Sequence, residues 1–275
     1  MARDGALHYK TPMDPARLAY FSTCPKGLEP AVATELRDAR IGACDVEEGS
    51  SGVRFHGDWA AGFRASLWLR GAVRVLAEHA RGECAGPEAL YAWARALDWT
   101  ALLRLDQTFS VEARVWDSNL THSKYAALRV KDALCDAFRE KTGARPNVSV
   151  GSADLPLFLY VYRDEAILYR DLSGTTLHKR GYRDAMHKSS LGEHVAAAIL
   201  VRAGYDGSQA LCDPMCGAGT FGIEAALLAL HRAPGLLRQG FPFERWPDFI
   251  PALWKDCKGR AHAEARYELP RRIAL

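Results

Sequence analysis

Asp213-Pro214-Met215-Cys216-Gly217-Ala218-Gly219-Thr220 is the stretch on which the fold of this chain turns. Just before it, Gln209-Ala210-Leu211-Cys212 reads as a short buried strand, and after it residues 221–231 read as a helix. Strand, Gly-rich turn and helix in that order open a doubly wound α/β domain, which binds ligands outside the carboxyl ends of its strands. Gly217 and Gly219 let a ligand approach the backbone and permit positive φ. Thr220 is placed to cap the helix. Asp213 offers a carboxylate suited to an ammonium or hydroxyl group. No lysine of the P-loop kind is present. Gly217, Gly219 and Gly222 satisfy the dinucleotide spacing G-x-G-x-x-G, so a nicotinamide enzyme is one alternative. Such a site also wants an acidic residue about 20 positions on, at a strand end, and residues 231–243 offer no convincing one. Cofactor contact through residues 213–220 is the expectation; a structural turn is its rival. Cys216 reads as small and fitting rather than nucleophilic.

Upstream, Leu191, Val195, Ile199 and Leu200 mark a helix beginning at Ser189. Ser173-Gly174-Thr175-Thr176 breaks the preceding rhythm and begins a linker. At the other end, residues 1–17 read as a loose arm. Residues 18–23 suit a strand, and Leu28, Val32, Leu36 and Ile41 recur at helical spacing. A hairpin over 46–49 and 52–55, a helix capped by Asp58 and a strand over 73–78 complete the order β-α-β-β-α-β of a ferredoxin-like unit. A second α/β segment follows. It has helices over 87–99 and 123–142, the latter closed by Gly143. Its strands lie at 108–115, 148–150, 157–162 and 166–171, with Asp164-Glu165 as the hairpin turn. The seven tryptophans, Trp59, Trp68, Trp93, Trp99, Trp116, Trp246 and Trp254, read mostly as core or edge residues.

A length of 275 residues accommodates two modest domains, and 48% hydrophobic with 25% charged residues is ordinary globular composition. No apolar run nears the roughly 18 residues of a membrane span. The first residues lack the apolar core of a signal peptide, so a cytoplasmic location is expected. Seven cysteines, scattered and odd in number, make a poor disulfide framework. Cys212 and Cys216 lack further ligands for a zinc site, and no metal is expected. Net charge is +3, but residues 121–190 hold twelve Lys or Arg against eight Asp or Glu. Such a stretch suits a polyanion or, more blandly, a solvated face.

Residues 213–220 also resemble the first motif of class I S-adenosylmethionine methyltransferases. The form is that of the THUMP-domain RNA guanine-N2 methyltransferases, which include bacterial 23S rRNA and tRNA enzymes. Leu172-Ser173-Gly174-Thr175-Thr176-Leu177-His178-Lys179-Arg180-Gly181-Tyr182-Arg183 resembles the linker of that family. Leu191-Gly192-Glu193-His194-Val195 resembles its first methyltransferase helix, Thr23-Cys24-Pro25-Lys26-Gly27-Leu28-Glu29 its ferredoxin-like domain, and Arg129-Val130-Lys131-Asp132-Ala133 its THUMP helix. Phe243-Glu244-Arg245-Trp246-Pro247-Asp248-Phe249 resembles the segment after that first helix.

The resemblance implies an α/β chain, α+β in its N-terminal part, of four parts. These are a ferredoxin-like domain at 18–80, a THUMP RNA-binding domain at 81–172, a linker at 173–188, and at 189–275 the start of a Rossmann-like methyltransferase domain. It implies S-adenosylmethionine as cofactor, held by Asp213, Pro214, Met215, Cys216, Gly217, Ala218, Gly219 and Thr220. It implies RNA as partner and methyl transfer to N2 of a guanine, in 23S rRNA first and tRNA as the variant. A guanine within a helix would have to leave its stack. The family's catalytic run, Asn (or Asp)-Pro-Pro-Tyr (or Phe), does not occur, so no catalytic residue is assigned. The acidic residue expected after the second strand is also missing. The chain stops at Leu275, where that strand should begin. The domain is expected to be truncated, and unstable or poorly active alone, because a parallel sheet cut after one strand leaves apolar surface uncovered.

RNA contact is expected from Lys124, Arg129 and Lys131, of which 124 and 131 share a helix face. It is expected also from His178, Lys179, Arg180, Tyr182 and Arg183, where cations beside an aromatic suit phosphate contact and base stacking. A solvated linker is the plain alternative there. Glu193 reads as a capping or packing residue. Rival functions are a non-catalytic RNA-binding protein and a THUMP protein with thiolation chemistry, which would need a Ser-Gly-Gly loop that is absent.

Overall fold

The computed structural model describes residues 17–182 and 191–275. Arg183, the remainder of the linker to residue 188 and the Ser189 helix start therefore lie outside the described residues, as does the N-terminal arm up to residue 16. The chain divides into two compact units. Of the described residues, 77–171 and 245–249 form the first; 17–76, 172–182, 191–244 and 250–275 form the second.

The second unit begins with β1 (Leu18–Thr23), α1 (Glu29–Leu36), the hairpin β2 (Cys44–Gly49) and β3 (Gly52–Gly57), α2 (Trp59–Trp68) and the first residues of β4 (Arg74–Glu83). Neighbouring strands run β2-β3-β1-β4, with β1 and β2 both antiparallel to β3. This is the ferredoxin-like order read from the sequence. Alternation explains β1: Leu18, Tyr20 and Ser22 point inward, while their neighbours are half-exposed. Tyr20 stacks on Phe55 with ring centroids 4.9 Å apart. Gly62 on α2 leaves room for that tyrosine, since a Cβ there would sit 2.7 Å from the ring. Asp58 caps α2 as expected, accepting from the Ala61 N–H at 2.8 Å. The helix read between Leu28 and Ile41 is shorter, ending at Leu36, and Ile41 reaches the core from the following loop.

The same unit continues with α5 (Glu193–Arg202), β9 (Leu211–Cys212), α6 (Thr220–Ala229), α7 (Pro251–Ala263) and β10 (Ile273–Ala274). α5 packs on α6, and α7 packs on α2. Between α2 and α7, Phe63, Phe241, Phe243 and Trp254 form one aromatic cluster, with Phe63 stacked 4.5 Å from Phe243 and Trp254 edge-on to Phe243 at 5.0 Å. Full burial of a phenylalanine contributes about 1.5–3 kcal/mol. β10 pairs in parallel with β9, Ile273 beside Leu211 and Ala274 beside Cys212. A second strand thus begins where the sequence reading expected it.

The first unit holds the rest of β4, then α3 (Pro87–Arg95), β5 (Thr108–Trp116), α4 (Ser123–Thr142), β6 (Asn147–Val148), β7 (Leu155–Tyr162) and β8 (Glu165–Asp171). Its strand order is β4-β8-β7-β5-β6. β5 runs parallel to both β6 and β7, and β7 pairs antiparallel with β8. α3 packs on α4, and α4 on β5. α4 buries Ala126, Val130, Ala133, Leu134, Ala137 and Phe138, one stripe at helical spacing. It ends where expected: Gly143 adopts φ +75° and its N–H bonds to the Arg139 carbonyl. The β7–β8 turn is displaced from the expected Asp164-Glu165. Arg163 and Asp164 carry the positive φ values, 48° and 59°, and Glu165 is already in β8. Two left-handed residues match the twist of a tight hairpin, which sets the register one residue earlier. α3 stops at Arg95 rather than Trp99, with a separate 3-10 turn over Trp99–Ala101. Residues 245–249 are anchored here. Arg170 binds Asp248 bidentately at 2.7 and 2.6 Å and lies 3.8 Å from the Trp246 ring centroid. The Trp246 indole N–H donates to the Asp154 carbonyl at 2.9 Å. No helix among the described residues is long and apolar enough to cross a membrane.

Candidate functional site

The turn from Asp213 to Gly219 joins the carboxyl end of β9 to the first residue of α6, the position where an open α/β sheet presents its backbone to a ligand. Its root is fixed: the Leu211 and Asp213 N–H groups donate to the carbonyls of Arg272 and Ala274 at 3.0 and 2.9 Å. Inside the turn, Asp213 Oδ1 accepts from the Met215 N–H at 3.1 Å, and the Gly219 N–H donates to the Cys216 carbonyl at 2.8 Å. Asp213 Oδ2 makes no hydrogen bond among the described residues, so one carboxylate oxygen remains for a ligand. Gly217 and Gly219 both lie in the left-handed region, at φ +53° and +74°. A Cβ on Gly217 would meet nothing within 4 Å, so its surroundings are open. Pro214, Met215, Gly217 and Ala218 are exposed, Asp213 and Cys216 half-exposed, Gly219 and Thr220 buried.

The structure therefore places seven of the eight expected residues in one turn and the eighth, Thr220, at the start of α6, with one correction. Thr220 does not cap α6. It is the first helical residue and is buried, and Gly219 occupies the cap position with no side-chain hydrogen bond. The left-handed φ at Gly219 turns the chain directly into the helix, which leaves no position for a hydroxyl cap.

The linker differs more from its expected role. Arg180 is 1% exposed. It pairs with Glu224 of α6, itself 0% exposed, at 3.3 Å, and donates to the carbonyls of Leu177 and Arg70 at 2.9 and 2.6 Å. Contact of Arg180 with RNA is ruled out by that burial: a guanidinium enclosed by protein acceptors cannot reach a phosphate. Tyr182 is half-buried and donates its hydroxyl to the same Glu224 carboxylate at 3.0 Å. Burial first, and then that carboxylate, push the phenol well above its ordinary range. His178 is half-buried, 4.7 Å from the ring of His194. Burial lowers the pKa of both rings, that of His194 to about 4. Of the linker residues proposed for RNA, Lys179 alone among the described ones is fully on the surface.

Sequence reading missed what holds this linker. Arg238, some sixty residues on, donates to the carbonyls of Ser173, Thr175 and Thr176 at 2.9, 2.9 and 3.0 Å. Arg70, 4% exposed, donates to the Leu227 and Arg232 carbonyls at the end of α6, and burial lowers its pKa to about 10. Glu35 accepts from the N–H groups of Arg70 and Gly71 at 3.0 Å each. None of these residues belongs to a local motif, so the only available signal was a charged residue inside an otherwise apolar run. Glu193 is 4% exposed, in keeping with its packing role.

On α4, Lys124 is exposed as expected. Arg129 is instead engaged with α3: it donates to Glu88 at 2.9 Å and to the Pro87 carbonyl at 3.3 Å, and lies 4.6 Å over the Tyr91 ring. Lys131 pairs with Asp132. Two of these three cations therefore already have partners. A cavity of about 380 Å³, lined by Glu35, Trp68, Arg70, Tyr205, Leu228 and His231, lies at the carboxyl end of α6. The Gly-rich turn sits at the opposite end of that helix, so the cavity lies away from the turn. All seven cysteines are free thiols. Burial raises Cys24 to about 12 and Cys84 to about 11, which leaves neither nucleophilic.

Comparison with known proteins accounts for the three segments in chain order. Residues 19–76 match the RlmL ferredoxin-like domain, 84–171 the THUMP domain, and 180–274 the RMKL-like methyltransferase domain. A ribosomal RNA large subunit methyltransferase K/L from Syntrophotalea carbinolica is 43% identical over 243 residues, covering 87% of this chain and 34% of that protein. The chain spans about a third of the length of the curated relatives it matches. Among solved structures, one from Listeria monocytogenes, described as a predicted N6-adenine-specific DNA methylase, is 33% identical with a TM-score of 0.83, covering 94% of this chain and 67% of its own. A putative methyltransferase complexed with SAH is 29% identical with a TM-score of 0.80, covering 92% and 66%.

Proposed function

Because the chain belongs to the THUMP-domain, class I S-adenosylmethionine methyltransferase family of the ribosomal RNA large subunit methyltransferases K/L, we propose that it binds S-adenosylmethionine and RNA for methyl transfer to N2 of a guanine, in 23S rRNA. The observation that carries the reading is the turn at 213–219: two left-handed glycines, an open backbone and one unengaged carboxylate oxygen at a helix start. Asp213, Pro214, Met215, Cys216, Gly217, Ala218, Gly219 and Thr220 would hold the cofactor. When bound, the cofactor supplies an activated methyl group. Gly217 and Gly219 keep side chains out of its way, and Asp213 Oδ2 offers an acceptor for an ammonium or hydroxyl.

The RNA partner is supported by the THUMP segment and by the names of the curated relatives. Lys124, Lys179 and Arg183 would be its phosphate contacts, with Tyr182 and His178 near them in sequence. The segment boundaries 18–80, 81–172, 173–188 and 189–275 and a cytoplasmic location belong to the same proposal.

Incubating the protein with 23S rRNA and methyl-labelled S-adenosylmethionine, then digesting to nucleosides, tests it. Any label is expected in N2-methylguanosine and at low yield, because the Asn (or Asp)-Pro-Pro-Tyr (or Phe) run does not occur in the sequence. Label in N6-methyladenine, the chemistry in the name of the Listeria structure, overturns the guanine assignment. RNA retained without label would favour the non-catalytic RNA-binding alternative. Preference for NAD over S-adenosylhomocysteine in a titration would overturn the cofactor.

A further inference from the structure

Of the seven tryptophans, six are buried or half-buried, and Trp116 is 71% exposed. It ends β5 on the face away from α4, as the two-residue period of a strand requires: Phe109 of β5 is buried on the α4 side, and Glu112, Arg114 and Trp116 alternate outward. The parallel register sets Arg114 beside Tyr160 and Trp116 beside Tyr162 of β7. Leu157, Leu159 and Val161 turn to the buried side, so Tyr160 and Tyr162 share the face of Trp116. Their rings lie 6.5 Å apart and 23° from parallel. Arg163 caps the row, its guanidinium carbon 5.0 Å from the Tyr162 centroid.

We propose that this face, Arg114, Trp116, Tyr160 and Tyr162 with Arg163 at its edge, is a stacking platform for unpaired bases of single-stranded RNA. The inference rests on the RNA reading given above and assigns that partner a surface. Three features select RNA as occupant. First, aromatic planes repeat along one strand at about twice the 3.3 Å rise, so neighbouring bases can each find a ring. Second, the exposed side chains of β5 and β7 on this face are aromatic or charged, with no aliphatic residue among 112, 114, 116, 160 and 162. Third, Arg114 offers a cation: it makes no ion pair among the described residues, the acidic neighbours Asp117 and Glu165 are held by Arg163 and Arg81, and Glu112 is the remaining carboxylate of the row. Stacking on a ring needs only the π-face of a base, so recognition here is tolerant of sequence. Methyl transfer to one chosen guanine leaves that tolerance useful: the platform holds a strand, and the cofactor site selects.

Binding of a fluorescein-labelled, unstructured RNA 12-mer to the whole protein tests this. Trp116→Ala and Tyr162→Ala should each raise Kd about tenfold, at the lower end of what a base–aromatic stack contributes. Trp116→Phe should retain most of the affinity. Affinity for S-adenosylhomocysteine and the far-ultraviolet dichroism should not change, which keeps misfolding separate. If the wild-type protein binds the 12-mer and the double alanine variant binds it equally well, the platform is overturned. If the wild-type protein binds no RNA, single-stranded or structured, the RNA reading falls with it.

Discussion

Glu224 gathers three partners inside the second unit: Arg180 and Tyr182 both bind its carboxylate, and its charge offsets part of the lowering that burial imposes on the Arg70 pKa. A buried ion pair that loses one partner leaves an uncompensated charge, which costs about 3–5 kcal/mol. Arg180→Met is therefore expected to destabilise by that amount in urea unfolding, while Arg180→Met with Glu224→Leu recovers much of the loss. A cost confined to below 1 kcal/mol would show the pair to be solvated. At Gly219, φ of +74° places an added Cβ against the following carbonyl. Gly219→Ala should lower stability by about 1–2 kcal/mol and weaken binding of S-adenosylhomocysteine, read by calorimetry. His79 is expected to carry a pH effect. Burial, then the Arg170 guanidinium, lower its pKa from 6.5 to about 4, with Asp248 opposing. The unfolded chain then takes up a proton more readily than the folded one. The His79 contribution to stability is complete above about pH 6.5, declines as pH falls toward about 4, and is constant below that. The difference between the wild type and His79→Gln in urea midpoints, followed from pH 8 to 4, should trace that decline; a flat difference would overturn it.

Elements were legible where one local signal was strong. α4 was readable from start to stop because its buried stripe is long and Gly143 ends it by geometry. The hairpin of β2 and β3 was readable from its Gly and Ser residues, and the start of α2 from Asp58. Asp58→Ala should cost about 1 kcal/mol through loss of the single side-chain acceptor at the α2 start, measured as a lowered urea midpoint; no change would mean that water replaces the cap. Boundaries failed where tertiary contacts compete with local pattern. Ile41 continues the helical spacing of α1, yet it is buried from a loop, and periodicity cannot tell those cases apart. β6 is two residues long because it pairs only at the edge of β5. The displaced β7–β8 turn was hidden because Arg163 is not a usual left-handed residue, whereas Asp164 is.

At the scale of the whole molecule, charge is modest, +3 over 275 residues, so RNA affinity should come from a few local contacts rather than from a general field. Between 50 and 200 mM salt, the affinity for single-stranded RNA should fall by about one order of magnitude, as roughly three phosphate contacts imply. No salt dependence would leave stacking alone to carry binding. The sequence by itself determined the order of the parts: a ferredoxin-like β-α-β-β-α-β run, a second α/β segment, and a strand, Gly-rich turn and helix that open an α/β domain. Those follow from periodicity, caps and glycines, which act over a few residues. Only the tertiary structure decided which polar residues are buried. Arg180 reads like a surface cation in its linker, yet Glu224, Leu177 and Arg70 enclose it. The tryptophans read mostly as core or edge residues, and only the structure shows that Trp116 stands in solvent. Burial is set by what the chain brings back from tens or hundreds of residues away, and the spacing of neighbours along one segment does not encode it.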